Sequence, residues 1–478
     1  MNRLIVGPFN RVEGDLEVRL SYADGVVSEA HVVSPMFRGF ETILIDRAPE
    51  DALAIAPRIC GICSVSQSVA AARALADMTG VRTPLNGQLS TQLALSCENL
   101  IDHLTHFYLF FMPDFTRDEY ADRGWSEGIR AKFSVPDGRS RTEAMAARAR
   151  FLHVTGIIAG KWPHTLAIQP GGTTLELDQG EQIRLIAAID GYRNFLESQM
   201  FGVPIEALAE CASMAALSQL MEGVESDLSH FLSVCDDLDL WQSGRGQHAL
   251  MSFGAYPVDG DMTLAAGIFR NGAVEPVDEA QIVEDTSHAR YPDQSAHPLK
   301  SHSEAEPGSA DAYSWCKAPR YAEQPVEVGA FARQVVNGSG LMLDIYQRFG
   351  SNVAGRILAR WVETAIVLSK MAAWACAFRR DEDYLVPIGS IKTASGKGFV
   401  EAARGSLGHW SSVRDGKIDN YQIIAPTTWN FSPRDNRGLP GPLETALVGA
   451  PVRTGEVSPI SVQHIVRSFD PCMVCTAH

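Results

Sequence analysis

The chain has 478 residues, and its 57 aspartates and glutamates outnumber its 41 lysines and arginines, for a net charge of −16 at neutral pH. That acidic balance, without a local basic patch, argues against nucleic-acid or membrane-surface binding, and no apolar run approaches the ~18–20 residues of a bilayer span. Nine cysteines are too sparse for a disulfide scaffold. The opening MNRLIVGPFNRVEGD has neither a signal-peptide core nor paired arginines, so a cytoplasmic location is expected unless a partner carries an export signal.

The first pattern is a β-hairpin over 16–33, where alternating apolar residues flank an Asp24-Gly25 turn. From about Pro49 the period becomes helical. A helix opens directly after Cys63, with Ser64 placed to cap it, and 89–112 reads as a long, largely buried helix. Further helices are expected over 142–159, 180–201, 205–240, 328–349 and 353–378, with Gly350 as a stop signal between the last two. Hairpins are expected on Asn271-Gly272 and Asp415-Gly416, and the polar stretch 291–315 reads as a long surface loop. These patterns predict an α+β fold: a single domain over 1–478 with a large helical core and small antiparallel sheets from the N- and C-terminal regions. Its segments are a β-rich start (1–48), a helical core (49–240), a β and loop insertion (241–326), a helical pair (327–380) and a closing segment (381–478).

Two Cys-x-x-Cys pairs carry the chemistry, Cys60 and Cys63 in RICGICSVSQ and Cys472 and Cys475 in DPCMVCTAH. Thiolates three apart chelate one metal. Local zinc modules keep their pairs ~15–20 residues apart, and iron–sulfur clusters usually draw on one local run. Pairs from opposite ends of the chain instead suit a buried catalytic metal, and soft thiolates favour nickel, iron or zinc. A helix starting at Ser64 would aim its positive end at Cys60 and Cys63, favouring thiolates. Cys97, Cys211, Cys235, Cys316 and Cys376 are isolated and read as small buried hydrophobes. His103 and His106 could mimic a zinc pair beside Asp102, and TASGKGF lacks the glycine spacing of a phosphate loop.

The two cysteine pairs are accompanied, in order, by RVEGD at 11–15, RGFE at 38–41, ARGSLGHW at 403–410 and NYQIIAPTTWN at 420–430. Together they resemble the large subunit of nickel–iron hydrogenases over essentially the whole chain. The resemblance implies that Cys60 and Cys472 are terminal nickel ligands, that Cys63 and Cys475 bridge nickel to iron, and that the iron carries carbon monoxide and two cyanides. It makes Glu13 the next proton carrier, near Cys472. Arg404 would lie over the open metal position, held by Asp102 and Asp470, and would contact one cyanide. Thr427 would donate to the other, with Ala403 and Pro426 completing the pocket. Glu41, the carbonyl of Ile423 and His478 are similar to a second site for magnesium or iron, which would anchor the tail. An iron–sulfur small subunit is implied as partner, because no other cysteine grouping here could relay electrons.

Several positions depart from the usual members. Gln67 and Asp15 stand where histidines are common, Ala403 replaces a proline, and Ile62 and Phe110 replace smaller residues on a gas route, where they would narrow it. The chain stops at His478, as a mature form would, or a branch made without the removable extension of most members. These features resemble the hydrogen-sensing branch, which splits hydrogen slowly and reports to a histidine kinase. An energy-conserving uptake enzyme is the alternative; a structural zinc protein or a quinone-site subunit on the same fold lies outside the class.

Overall fold

The computed structural model describes residues 2–246, 248–308 and 311–476. Strands Glu17–Ala23 and Val26–Val33 form the first hairpin, and Asp24 (φ 52°) and Gly25 (φ 77°) take the left-handed conformations a two-residue turn requires. A strand the sequence pattern did not reveal, Asn2–Val6, adds an antiparallel edge beside Glu17–Ala23.

The helical core is organised by Leu85–Thr105, buried along nearly its whole length, which packs against Val353–Cys376 and Ser64–Thr79. It ends in a π-helical turn, His106–Phe111. Segment 205–240 is not one helix but three, Ile205–Ala209, Met214–Leu220 and Asp227–Asp237. Ser213 and Ser226 each cap a new start with their hydroxyls, which ends any continuous reading. Segment 328–349 likewise opens with strand Val326–Val328 and breaks into Ala330–Val336 and Gly340–Phe349, with Gly338 at φ 80° between them.

Strands Val326–Val328, Ala249–Val258, Asp261–Arg270 and Ala273–Glu275 form a four-stranded sheet in that order, its last hairpin turning on Asn271-Gly272. Ala394–Ala402, Gly405–Arg414 and Lys417–Ile424 form a three-stranded antiparallel sheet, with the expected turn at Asp415-Gly416. The first of these strands lies directly on Ser64–Thr79: a Cβ on Gly396 would sit 2.3 Å from the Ala74 carbonyl oxygen, and one on Gly398 would sit 2.0 Å from that of Ala70. Only glycine permits that approach, and it fixes the strand leading to Arg404 against the helix that follows Cys63.

The stretch 291–315 is largely irregular and runs along the surface, with 304–308 exposed, but it is pinned inward by Ser301 and Ser314, which are fully buried, and by Ser303, which is nearly so. Of the isolated cysteines, Cys97, Cys235 and Cys316 are buried as expected, Cys211 is half-buried, and Cys376, at the last turn of its helix, is exposed. Among the described residues no helix is long and apolar enough to cross a membrane.

Candidate metal centre

The two cysteine pairs meet. The sulfurs of Cys60, Cys63, Cys472 and Cys475 all lie within 4.8 Å of one another, with Cys60–Cys472 at 3.5 Å, Cys63–Cys475 at 3.3 Å and Cys472–Cys475 at 2.9 Å. Thiolates at ~2.3 Å from a shared metal stand about 3.8 Å apart in a tetrahedron, so the donor set fits a thiolate-bound transition metal. Cys60, Cys472 and Cys475 are buried and Cys63 is half-exposed. Hydrogen bonds from Cys472, Cys475 and Cys63, aided by the charge of Arg404, hold the Cys60 thiol well below its ordinary range despite burial.

Each pair is set by its own local structure. Cys63 is the residue before Ser64–Thr79, and the Ile62 N–H donates to Cys60 Sγ at 3.3 Å. The expected Ser64 cap is absent. Instead the buried Glu98 reaches across from Leu85–Thr105 and accepts from the backbone N–H groups of Val65 and Ser66, both at 2.8 Å. Trp162 Nε1 donates to it at 3.0 Å and Ser66 Oγ at 2.9 Å. Ser64 accepts from the His164 backbone, so its hydroxyl braces a neighbouring loop rather than its own helix. At the other end, Thr427 Oγ1 accepts from the Cys472 N–H at 3.1 Å, and the Met473 N–H donates to the Glu13 carbonyl at 2.7 Å. The tail is thus tied down on both sides. Pro426 is the first residue of the short helix Pro426–Asn430 that presents Thr427.

Arg404 is buried beside the cluster. Its Nε donates to the Asp470 carbonyl at 2.8 Å, and its guanidinium pairs with Asp470 Oδ1 at 3.0 Å and Asp102 Oδ2 at 2.8 Å. Burial pushes Asp102 up to about 8 despite the arginine, whereas for Asp470 burial, the largest single influence, is outweighed by Arg404 together with His106, Arg360 and His103, and the residue stays below its usual range. Glu13 is half-buried and runs alongside Cys472; desolvation, then the neighbouring Cys60, raises its pKa. His103 Nε2 lies 3.3 Å from Glu363 and His106 Nε2 2.6 Å from the Arg467 carbonyl, so each imidazole is engaged separately. Ile62 and Phe110 are half-buried, the first between the paired cysteines and the second on the π turn. Gln67 Oε1 accepts from His409 Nε2 at 2.8 Å, and Asp15 is exposed.

Three groups escaped sequence reading. Glu98 was one; its signal was a lone carboxylate inside an apolar helical run. The second is Arg333, fully buried, which pairs with Glu363 and Glu401 and donates to the carbonyls of Ala402 at 2.9 Å and Ala403 at 3.1 Å, immediately before Arg404. The third surrounds Glu41. Lys317 Nζ lies 2.9 Å from Glu41, 2.8 Å from Ser303 Oγ, 2.7 Å from Gln422 Oε1 and 3.4 Å from Glu284. Glu41 Oε1 also accepts from the Ile423 N–H at 2.8 Å. His478, the remaining expected ligand, lies outside the described residues.

A family model described as nickel-dependent hydrogenase matches residues 38–118 and 141–478. The chain is 29% identical to the periplasmic [NiFeSe] hydrogenase large subunit of Desulfomicrobium baculatum, covering 100% of this chain and 95% of that one. It is 28% identical to the uptake hydrogenase large subunit of Azotobacter chroococcum mcd 1, with the same coverage. Its fold superposes on the Ni-Fe-Se hydrogenase of D. vulgaris Hildenborough in the reduced state with a TM-score of 0.85 at 28% identity, each chain covered completely. The chain belongs to the nickel-dependent hydrogenase family, as a large subunit whose nickel–iron site is held by Cys60, Cys63, Cys472 and Cys475.

Proposed function

We propose that this chain activates hydrogen as the large subunit of an uptake hydrogenase, working with an iron–sulfur small subunit. The observation that carries the reading is the enclosed four-sulfur cluster with Arg404 fixed beside it. The nickel–iron centre, with carbon monoxide and two cyanides on iron, supplies the Lewis acidity and redox capacity that so weak an acid as hydrogen requires. All four cysteines would hold it, Cys60 and Cys472 as terminal thiolates and Cys63 and Cys475 as the pair shared between the metals. Arg404, locked by two carboxylates and the Asp470 carbonyl, would offer a fixed positive charge to hydrogen and to one cyanide. Thr427 accepts from Cys472 through its oxygen and so would keep its hydroxyl proton for the other cyanide, and Ala403 and Pro426 would complete the pocket.

Glu13 takes the proton onward. Its raised pKa brings it toward the range in which a carboxyl both accepts and releases protons near neutrality. Electrons leave by another route, because among the described residues the four-cysteine group is the sole cluster of metal-ligating side chains. Beside Glu41, two buried carboxylates share one lysine, and Glu284 Oε1 has no hydrogen-bond partner. That oxygen-rich cluster, net negative once Glu284 ionises, fits the expected magnesium or iron near the C-terminus.

The sensing role expected from the sequence departures is not supported. The relatives above are periplasmic and uptake enzymes, and Gln67, one of those departures, serves His409. Infrared spectroscopy of the purified complex tests the reading: carbon monoxide and cyanide bands that respond to hydrogen, with rapid turnover, are expected. Zinc at one per chain without such bands would overturn it, and hydrogen-responsive bands with very slow turnover would restore the sensor.

A further inference from the structure

Away from the metal centre, a cavity of about 340 Å³ opens between the far half of Ser64–Thr79, the start of Leu85–Thr105 and the turn at Gly171-Gly172. Its lining is unusual in charge. Arg73 forms one hydrogen bond, from Nη1 to the Phe399 carbonyl, and a guanidinium has five N–H donors. No carboxylate lies within ion-pair distance of it among the described residues, and burial, with no acid to oppose it, draws its pKa down to about 10. Arg82, on the rim, has no acidic partner either. Gln92, 3% exposed, lines the same cavity, and its Oε1 has no hydrogen-bond partner.

Withdrawing a cation from water without a counter-charge is costly, and Arg73 is half-buried. The buried Arg404 and Arg333 are each paired with two carboxylates, and the buried Arg360, which has none, is met by two backbone carbonyls, whereas Arg73 meets one. The wall opposite is rigid: a Cβ on Gly171 would meet the Val386 carbonyl oxygen at 2.1 Å, and one on Gly172 would meet that of Tyr384 at 2.0 Å. The cavity therefore does not collapse onto the guanidinium.

We propose that this cavity is a binding site for a small oxyanion, a carboxylate or a phosphate, gripped by Arg73 and Arg82, with Gln92 Oε1 placed to accept from the P–OH of a protonated phosphate. The guanidinium fork matches such a group with two parallel bonds, and the volume stands at the low end of small-molecule sites, roughly 300–1,000 Å³. The site is separate from the chemistry but not remote in construction. Arg73 belongs to the helix that begins after Cys63, and Phe399 to the strand that ends before Arg404. A bound anion would hold those two elements together.

The test is calorimetric titration of the purified heterodimer with inorganic phosphate and, separately, with succinate, at low ionic strength. Saturable binding of at least one is expected, weakened about tenfold or more by Arg73→Met and several-fold by Arg82→Ala, with Arg73→Lys in between, because charge-assisted bonds are worth that much. Preference between the two anions identifies the source. Arg82 is exposed, so its variant keeps the test decisive even where Arg73→Met misfolds, as nickel content would show. No saturable binding by the wild-type heterodimer, including the case in which a small-subunit carboxylate already fills the cavity, overturns the proposal. Equal affinity in wild type and a folded Arg73→Met does the same.

Discussion

Replacing Glu98 by glutamine isolates how the helix behind Cys63 is held. The carboxylate satisfies two backbone donors that begin that helix, yet burial lifts its pKa from 4.5 to about 7. An acid whose folded pKa is raised stabilises the fold fully below its unfolded value and loses that stability as pH climbs through the folded one. Between pH 5 and 8 the shift amounts to roughly 2–3 kcal/mol. With an unfolding entropy of about 2.1 cal/mol/K per residue, a chain of this length has about 1 kcal/mol/K, so the effect on Tm is roughly 2–3 °C. Glutamine does not titrate, but it keeps an oxygen for only one of the two N–H groups, which bind different oxygens, and sets its NH2 against the other. Near pH 5 the variant should therefore lie about 1–3 kcal/mol below wild type, and by pH 8 it should have gained roughly 2–3 °C relative to it. Asp102, Glu284 and Glu444 titrate in the same window, but they are common to both proteins and cancel in the difference. Paired thermal scans of the purified complex across that pH range are the assay. A difference that stays flat would mean Glu98 is ionised throughout, its hydrogen bonds outweighing its burial, and would refute the reasoning.

Glu13→Gln should abolish hydrogen–deuterium exchange while leaving nickel and iron content intact; full exchange in that variant would remove Glu13 from the proton route. Arg333→Met strands Glu363 and Glu401 without their cation, a loss of about 3–5 kcal/mol, and frees the Ala402 and Ala403 carbonyls, so a lowered Tm and displaced cyanide bands are expected. Arg333→Lys should recover part of the Tm, and unmoved bands in a folded Arg333→Met would show that Arg404 needs no such brace. Cys475→Ser replaces a soft ligand with a hard one and should empty the centre, as measured by nickel and iron per chain; wild-type loading would exclude Cys475 as a ligand.

What could be read in the sequence was whatever is written locally. Asp24-Gly25, Asn271-Gly272 and Asp415-Gly416 impose their turns through their own backbone preferences, and each hairpin is where the pattern puts it. A Cys-x-x-Cys pair is equally local, so both halves of the site were visible even though their meeting was not. The misses share one cause. Periodicity ran straight through 205–240 because three short amphipathic helices look like one when the capping serines are read as ordinary polar residues. Glu98, Arg333, Lys317 and Ser303 are polar residues whose meaning lies in partners far along the chain, and polar segments such as 291–315 are assigned wholly to the surface by default. Burying them is justified only by the hydrogen bonds and counter-charges they find inside, and pairings of that range leave no trace in spacing.

The way the tail is held connects these buried pairings to the metal. The C-terminal sulfurs are positioned by the Glu13 carbonyl, the Thr427 hydroxyl and the Arg404–Asp470 pair, contributed by the segment between the first two strands, the short helix Pro426–Asn430, and the turn between Ala394–Ala402 and Gly405–Arg414. None of these elements alone presents a four-sulfur site, and the last helical turn, Met473–Cys475, is too short to be stable by itself. Four ligands brought together only by tertiary folding make metal binding and closure of the tail one linked equilibrium, so the free energy of coordination is also free energy of folding. That linkage ties the segment carrying Cys472 and Cys475, which would fray without support, to the loading of the centre. The braced carbonyls of Ala402 and Ala403 then matter as much as the cysteines, because a lid of this kind returns to one position only if Arg404, the group it closes against, has not moved.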